Sequence, residues 1–431
     1  MGKIKIHLIK CFFYEIVICF LFFVYLYPLK FIFFPWVSTR VMLGFIGIVY
    51  CLLNVVAGKI DLRKIGRKWV SVFGLLLSLL LVSCLTSAVN GVIDTDFSFY
   101  VCSIALILFA GYAVYTVVLK VIGDFTFRII SHYVIKVVVL QMLIALVIAF
   151  FPGFRDSLKN LLTGSCVPDF SDTFRLWGPG SHSFTAGVVN SFALFMIAIN
   201  CKNARNRKKI YLFCCALLIA VVGSMMARTT VIGVAGACCI LIYGTPVLIV
   251  VRNLFKYSIA ILCVTYLILC VIPGNIQEER IEPYFKYGFE IYYNYIESGE
   301  VGTASTDELA EMKHTYPRNV KTWLIGDGRF IDPVNPELYY MHTDVGYARL
   351  LFYYGLIGCV LYFLCQFSLI KIASDCSDQQ MKLFFVFLFF LLLLLNIKGF
   401  TDFTPWVGIF LFCTDRNNEN LLANSAKQNS K

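Results

Sequence analysis

Two arginines stand at the ends of apolar stretches, where their guanidinium groups could bind a phosphate. Arg175 opens the run Arg-Leu-Trp-Gly-Pro-Gly-Ser-His just before one stretch, and Arg228 lies at a tight hairpin between two others. Guanidinium groups bind phosphate oxygens in a bidentate manner, and Gly178 and Gly180 could fold the backbone into a nest of amides for the same anion. The alternative roles are an interfacial turn with Arg175 extending to lipid headgroups, and an ion pair of Arg228 with a structural partner such as Asp402.

A second group of polar residues begins at His342, where the chain enters a later apolar stretch. A histidine at such a junction can act as a general base or donate to a phosphate near neutral pH. Thr343 can cap the following helix, and Asp344 can interact favourably with the N-terminal end of the helix dipole. Capping accounts for Thr343 and Asp344 without any chemistry, but it does not account for His342. Arg349 follows in the same stretch, and the turn Gly326-Asp327-Gly328 precedes it.

Several familiar catalytic patterns are absent from the sequence. It contains no Walker A, His-Glu-x-x-His or Gly-x-Ser-x-Gly pattern, which argues against ATP hydrolysis, zinc proteolysis and serine hydrolysis. The 17 cysteines include no Cys-x-x-Cys pair and fall mainly within apolar stretches, so we expect small buried hydrophobes. We therefore expect no metal and no cofactor. The formal net charge of +11 lies in short clusters between apolar stretches, which indicates membrane topology and not nucleic-acid binding.

Membrane-spanning helices are the elements that must position these residues. The 431 residues are 59% hydrophobic and 15% charged, whereas soluble domains are about half apolar and a quarter charged. Apolar stretches of spanning length recur along the chain, and their uniform composition differs from the alternation of barrel strands. The sequence predicts an all-α, polytopic integral membrane protein with about 11–12 transmembrane helices. The predicted spans are 11–27, 38–57, 69–89, 97–119, 133–151, 184–200, 210–227, 229–251, 257–273, 345–370, 383–399 and 403–414, the last two short enough to form a re-entrant hairpin.

The positions of lysine and arginine predict the orientation of the spans. Basic clusters such as the one in the gap 201–209 fall on one side, which the positive-inside rule assigns to the cytoplasm. Both termini then lie inside, and the two long loops, 152–183 and 274–344, lie outside. We expect residues 1–414 to form a single transmembrane domain and the polar tail 415–431 to be cytoplasmic and disordered.

The second outer loop is predicted to be large, acidic and partly helical. Between residues 274 and 341 it holds 12 acidic and six basic side chains. The sequence Ser305-Thr306-Asp307-Glu308 matches a capping box that opens a helix reaching about His314. The segment 281–297 is rich in Tyr and Phe and is predicted to lie along the membrane surface as an amphipathic helix.

Taken in order, these features resemble the O-antigen polymerases of the Wzy type, within the polymerase and ligase group of bacterial polysaccharide membrane enzymes. The resemblance covers the span count and the two outer loops. The Thr-Asp-Val-Gly-Tyr run is more similar to polymerases, since ligases more often have Ser or Asn after the histidine. The resemblance to the O-antigen polymerases depends on four motifs. They are Arg175 with Gly178, Arg228 after Ser224, Gly326-Asp327-Gly328, and His342-Thr343-Asp344-Val345-Gly346-Tyr347 leading to Gly355-Leu356-Ile357-Gly358.

This resemblance implies transfer of a growing oligosaccharide from a polyprenyl-pyrophosphate carrier to a sugar hydroxyl of a new lipid-linked repeat unit. The implied location is the outer face of a bacterial cytoplasmic membrane, and the implied partners are lipid-linked oligosaccharides, membrane lipids, a chain-length regulator and a flippase. His342 is the first choice for the general base and Asp344 the second. The implied pyrophosphate ligands are Arg175, Arg228, Gly178 and Gly180, with His182, Arg349 and Arg318 as secondary candidates.

Two other functions remain open at this point. An O-antigen ligase, which moves finished glycan to the lipid A core, would use the same donor and similar arginines. A polysaccharide flippase or transporter would need polar residues through the middle of several spans, whereas charge here gathers at span ends. A structural subunit of an assembly complex has no positive indication in the sequence.

Overall fold

The described part of the chain is helical. A computed structural model describes residues 2–58, 67–92, 94–164, 166–167, 175–181, 183–202, 204–243, 282–299, 302–312, 315–375 and 379–413, with the single positions 245, 248 and 252. Within these residues, extended pairing is confined to four isolated β-bridges. Helical backbone satisfies its own amides, which is what a chain surrounded by lipid requires.

Sixteen α-helices are described, and many of them are apolar and long. Eight have the length and composition to cross a membrane, and two shorter apolar helices accompany them in the described residues. The helices are α1 Gly2–Leu26, α2 Thr39–Val56, α3 Arg67–Asn90, α4 Asp96–Ile122, α5 Phe127–Phe150, α6 Pro152–Leu161, α7 Ser183–Lys202, α8 Asn206–Met226, α9 Thr230–Ile242, α10 Glu282–Gly288, α11 Glu290–Ser298, α12 Ala304–Met312, α13 Val320–Ile325, α14 Gly346–Asp375, α15 Gln379–Lys398 and α16 Thr404–Val407.

The predicted span 229–251 is covered only in part by a described helix, because α9 ends at Ile242 and residues 244, 246–247 and 249–251 lie outside the described residues. Segment 257–273 also lies outside the described residues. Segment 383–399 is a full-length helix, but the described residues 403–413 contain only the four-residue α16 and a short 3-10 turn. The irregular backbone between α15 and α16 is bonded by side chains: Thr401 N–H donates to Asn396 Oδ1 (3.2 Å), and Phe403 N–H donates to Gln366 Oε1 (3.2 Å). Such partners are what allow non-helical backbone at membrane depth.

The segment predicted as the first outer loop, 152–183, contains a helix that the sequence did not predict. α6 begins at Pro152, directly after the spanning helix α5, and proline is favoured at the first position of a helix. Phe154 and Leu161 are exposed on it, and it also carries Arg155 and Lys159. Exposed apolar side chains together with basic ones are typical of a helix lying in the membrane interface.

In the segment predicted as the second outer loop, 274–344, the predicted helices are present, but one helix cap differs from the prediction. Segment 281–297 forms α10 and α11, and the predicted helix after residue 305 is α12. The reciprocal cap belongs to Thr303 and Thr306: Thr306 N–H donates to Thr303 Oγ1 (3.2 Å) and Thr303 N–H donates to Thr306 Oγ1 (2.8 Å). The assignment to Ser305 was therefore wrong, because a threonine at the fourth position replaced the expected glutamate as the reciprocal acceptor.

The chain divides into two compact units. Unit 1 comprises residues 1–26, 37–133 and 309–431, and unit 2 comprises residues 27–36 and 134–308.

Unit 1 contains a spanning helix whose backbone is interrupted. α14 leaves the helical conformation at Gly355, where φ is 64°. The carbonyls released by the break are satisfied by the Gly-Asp-Gly segment: Asp327 N–H donates to Phe352 O (2.6 Å) and Gly328 N–H donates to Tyr353 O (3.2 Å). Residues 326–328 form irregular backbone and not the predicted turn, and their amides support the interruption of a helix.

Candidate functional site

The loop that carries Arg175 is held in unit 2 by a small buried core. Trp177 packs with Ile148, Leu162, Cys166 and Val167 in one cluster of buried side chains. The backbone N–H of the next residue after the arginine, Leu176, donates to Met225 O at the end of α8 (3.1 Å). These contacts fix the backbone directly after Arg175.

Gly178 and Gly180 are buried within this loop, and their positions indicate tight packing. The amide of Gly180 donates to Cys166 O (3.3 Å), and the amide of Ser181 donates to Gly178 O (3.1 Å). Gly180 has a φ of 69°, and a Cβ on Gly178 would lie 2.3 Å from Gln141 Nε2. The amide of Gly180 is therefore engaged within the loop, and the side chain of Arg175 remains the loop's candidate ligand for an anion.

Arg228 lies in the turn between α8 and α9, partly buried. Its Nε donates to the carbonyl of Tyr287 (3.1 Å), and its guanidinium forms an ion pair with Glu290. Both side chains are mostly shielded, with exposures of 20% and 18%. The structural partner suggested for Arg228 in the sequence analysis, Asp402, instead accepts bonds from Gln366 Nε2 (2.8 Å) and Thr404 N–H (2.7 Å).

Arg175 and Arg228 converge on one aromatic ring. The guanidinium carbon of Arg175 lies 4.7 Å from the ring centroid of Tyr287, and that of Arg228 lies 4.4 Å from the same centroid. Each contact is within the range of a cation–π interaction. Two cations that stand far apart in the sequence therefore share one side chain of α10. Tyr287 was not singled out from the sequence, where the only indication was the aromatic content of segment 281–297.

His342 of unit 1 stands beside a carboxylate that the sequence analysis did not assign. Its Nε2 lies 3.4 Å from Asp332 Oδ2, and its side chain is 65% exposed. Oδ1 of Asp332 accepts from the backbone N–H groups of Val334 (2.8 Å) and Asn335 (3.0 Å). These amide bonds, with a smaller contribution from His342, hold the pKa of the Asp332 carboxyl below its usual value.

The backbone at His342 adopts an uncommon conformation. Met341 and His342 have φ values of 58° and 51°, and they are the non-glycine residues with positive φ in the described chain. The flanking strand-like segment holds them, since Tyr340 N–H donates to Phe330 O (3.0 Å) and Asp332 N–H donates to Leu338 O (2.9 Å). Such conformations persist only where surrounding contacts enforce them, and they concentrate at functional sites.

The remaining predicted residues near His342 have other surroundings. The hydroxyl of Thr343 accepts from Val345 N–H (3.3 Å) at the start of α14, consistent with its predicted capping role. Asp344 is exposed, and its backbone N–H donates to Met312 Sδ (3.5 Å). Arg318 is also exposed, and His182 lies outside the described residues.

Arg349 is enclosed by aromatic rings. Its guanidinium carbon lies 3.5 Å from the ring centroid of Tyr339, 4.3 Å from that of Phe330 and 5.8 Å from that of Phe400. These contacts connect α14 with the segment that carries Asp332. Arg349 therefore has a clear role in supporting the fold around His342.

The candidate residues thus form two groups. Arg175, Arg228, Tyr287 and Glu290 belong to unit 2, and His342 and Asp332 belong to unit 1. Within the described residues, no three His, Cys, Asp or Glu side chains are grouped so that they could hold a metal ion. No protein-family model, curated protein or solved structure matches this chain.

Proposed function

We propose that this protein is a glycan polymerase of the bacterial cytoplasmic membrane. It has about 11–12 transmembrane helices, both termini in the cytoplasm, and the loops 152–183 and 274–344 on the outer side. It transfers a growing oligosaccharide from a polyprenyl-pyrophosphate carrier to a sugar hydroxyl of a new lipid-linked repeat unit. The chain-length regulator and the flippase of such a system are its expected partners.

The observation that carries this proposal is the convergence of Arg175 and Arg228 on Tyr287. Breaking the bond between the sugar and its lipid diphosphate develops negative charge on the leaving oxygen. Two guanidinium groups held in place before the reaction stabilise that charge without reorganisation. Arginine suits this role because its charge persists at any relevant pH and its planar fork matches phosphate oxygens.

The proposed reaction is a direct displacement at the anomeric carbon. His342 removes the proton of the acceptor hydroxyl, the hydroxyl oxygen forms a bond with the anomeric carbon, and the bond from that carbon to the diphosphate oxygen breaks. The electron pair of the broken bond leaves with the lipid diphosphate. A hydrogen bond from His342 Nε2 to Asp332 orients the ring and leaves Nδ1 as the basic nitrogen. Asp344 is the second choice for the base.

The donor already carries an activated leaving group, so the reaction needs neither ATP nor a cofactor, and the arginines replace a metal in binding the diphosphate. An O-antigen ligase uses the same lipid-diphosphate donor, so the arginine pair is equally compatible with a ligase function. A transporter does not require two cations fixed on one ring at a span end.

Deletion of the gene followed by gel electrophoresis of lipopolysaccharide tests this function. Loss of a polymerase leaves the lipid A core bearing one repeat unit, whereas loss of a ligase leaves bare core and accumulates lipid-linked polymer. An unchanged ladder of long chains in the deletion strain, with no accumulated intermediate, would show that the proposal is wrong.

A further inference from the structure

Unit 2 contains a cavity where the first outer loop leaves the membrane-spanning helix α5. The cavity measures about 60 Å³ and is lined by side chains from α5, from α6, from the loop around Arg175 and from α10. The lining residues that matter here are Arg155, Arg175, Trp177, Tyr284 and Ile148. Its lining therefore includes two arginines, a tyrosine and apolar side chains.

Its walls are preformed. Trp177 and Ile148 are 5% and 3% exposed and belong to the same buried cluster. Arg155 is one turn into α6, and Arg175 is anchored by the loop contacts described above. Two cations from separate segments and a buried aromatic side chain therefore line one cavity, an arrangement that suits an anion.

The size of the cavity selects a small group. A cavity needs about 15 Å³ to hold one water molecule, so this cavity has room for roughly four waters. Pockets that enclose whole drug-sized ligands measure about 300–1,000 Å³. The cavity is therefore too small for a sugar ring and comparable to a single phosphoryl group.

Charge and hydrogen bonding select the same group. Burial raises the pKa of the Tyr284 phenol, and the Arg155 guanidinium partly opposes that rise, so the two groups lie within electrostatic reach. The phenol remains a hydrogen-bond donor at neutral pH. Two guanidinium groups and one hydroxyl donor can donate to the non-bridging oxygens of a phosphate, of which a lipid monophosphate has three and the lipid-side phosphate of a diphosphate has two.

The position of the cavity indicates a lipid ligand. α6 follows directly after the spanning helix α5. Phe154 and Leu161 on α6 are 42% and 46% exposed, and Phe151, just before α6, is 62% exposed. A basic helix with exposed apolar side chains lies at headgroup depth. On the α5 side the wall is apolar, with Ile148 and two alanines. A phosphate entering here would have a hydrocarbon environment beside it.

We infer that this cavity binds the lipid-side phosphate of a polyprenyl-phosphate carrier, with Arg155 as a ligand in addition to Arg175. Arg175 lines the cavity and also contacts Tyr287, so it stands between Arg155 and Arg228. A diphosphate then has its lipid-esterified phosphate between Arg155 and Arg175 and its sugar-linked phosphate between Arg175 and Arg228. This inference rests on the proposed function for the identity of the lipid.

Direct binding of polyprenyl monophosphate to the purified full-length protein in nanodiscs tests the inference. Arg155→Ala is expected to weaken binding by roughly tenfold or more, because a charge-assisted contact is lost, while Arg155→Lys recovers part of the affinity. The matched control is Lys159→Ala, which removes a charge from the same helix without altering the lining of the cavity, and it is expected to retain full affinity. Equal affinity of Arg155→Ala and the unmodified protein overturns the inference, as does an equal loss in Lys159→Ala.

Competition distinguishes the source of the phosphate. Inorganic phosphate and inorganic pyrophosphate are added separately, at the concentration at which the lipid half-saturates the protein. Retention of the bound lipid supports a lipid site, and its displacement by either free anion overturns that assignment.

The assay measures binding without glycan transfer, so its result is separate from the test of the proposed function. Normal lipid binding with an unchanged polymer ladder in the deletion strain refutes the function alone. A deletion strain that lacks polymer, combined with unchanged binding by Arg155→Ala, refutes the cavity assignment alone.

Discussion

The carboxylate of Glu290 forms an ion pair with the guanidinium of Arg228, and both side chains are largely shielded from solvent. Glu290 opens α11, which follows the helix that carries Tyr287. An anionic ligand bound by Arg228 must compete with this carboxylate. The pair therefore has two consequences: it holds α11 against the turn between α8 and α9, and it lowers the affinity of Arg228 for a phosphate.

Replacement of the carboxylate should strengthen phosphate binding. Glu290→Gln removes the competing charge from Arg228 while keeping the size of the side chain, so the affinity for polyprenyl diphosphate should rise by roughly three- to tenfold. This affinity is measured as the dissociation constant of polyprenyl diphosphate from the protein in nanodiscs. Glu297→Gln is the control, because Glu297 pairs with Lys286 at 3.0 Å on an exposed surface, where ion pairs contribute little. Weaker binding by Glu290→Gln would contradict this prediction. It would show that Glu290 mainly positions Arg228 and does not compete with the phosphate.

The two converging arginines should be required for polymer formation. Arg175→Ala or Arg228→Ala, expressed at the normal level in the deletion strain, should leave core with one repeat unit, since removal of one preorganised donor lowers the rate about 10²- to 10³-fold. Arg205→Ala, which lies in the predicted cytoplasmic gap before α8, should restore the full ladder. Long chains from either of the first two variants would remove that residue from the mechanism.

The carboxylate of Asp332 should stabilise the segment around His342 in a pH-dependent manner. Its pKa is lower in the folded protein than the ordinary value of 3.8, so its stabilising effect is present above that value and is lost as the pH falls below it. After correction for intrinsic exchange rates, hydrogen exchange at the amides of Val334 and Asn335 should accelerate only in this acidic range. In Asp332→Asn these amides should exchange faster at neutral pH and show no further acid-dependent step. Identical profiles for the two proteins would contradict this prediction.

The interruption of α14 should tolerate no side chain. A Cβ on Gly355 would lie 2.4 Å from the backbone of Leu324, and its positive φ costs a non-glycine residue about 1–3 kcal/mol in addition. Gly355→Ala should therefore lower the thermal unfolding midpoint in detergent and the yield of folded protein. Gly74→Ala in α3 is the matched control, because a Cβ there meets no other atom within 4 Å. An unfolding midpoint for Gly355→Ala equal to that of the control would refute the tight contact.

Part of the candidate site could be predicted from the sequence. An arginine at the predicted outer end of a span is an exception to the positive-inside rule. This exception identified Arg228 as a candidate from the sequence. Arg175 was found from its glycine-rich neighbours, although the structure shows that those glycines serve close packing. No local signal of this kind marked Tyr287, Glu290 or Asp332. The loop that contains them has many aromatic and acidic residues, so the sequence did not distinguish these three from their neighbours.

The sequence by itself determined that this is a helical membrane protein, because length and hydropathy are local properties and lipid leaves the backbone few other structures. It also predicted that the segment 274–344 is partly helical. The tertiary structure alone decided that Arg175 and Arg228 meet at one ring, that Glu290 is the ion-pair partner, and that the amides of Asp327 and Gly328 satisfy the break in α14. Each of these depends on segments far apart in the chain, and contact between them follows from the packing of whole helices, which no local pattern encodes.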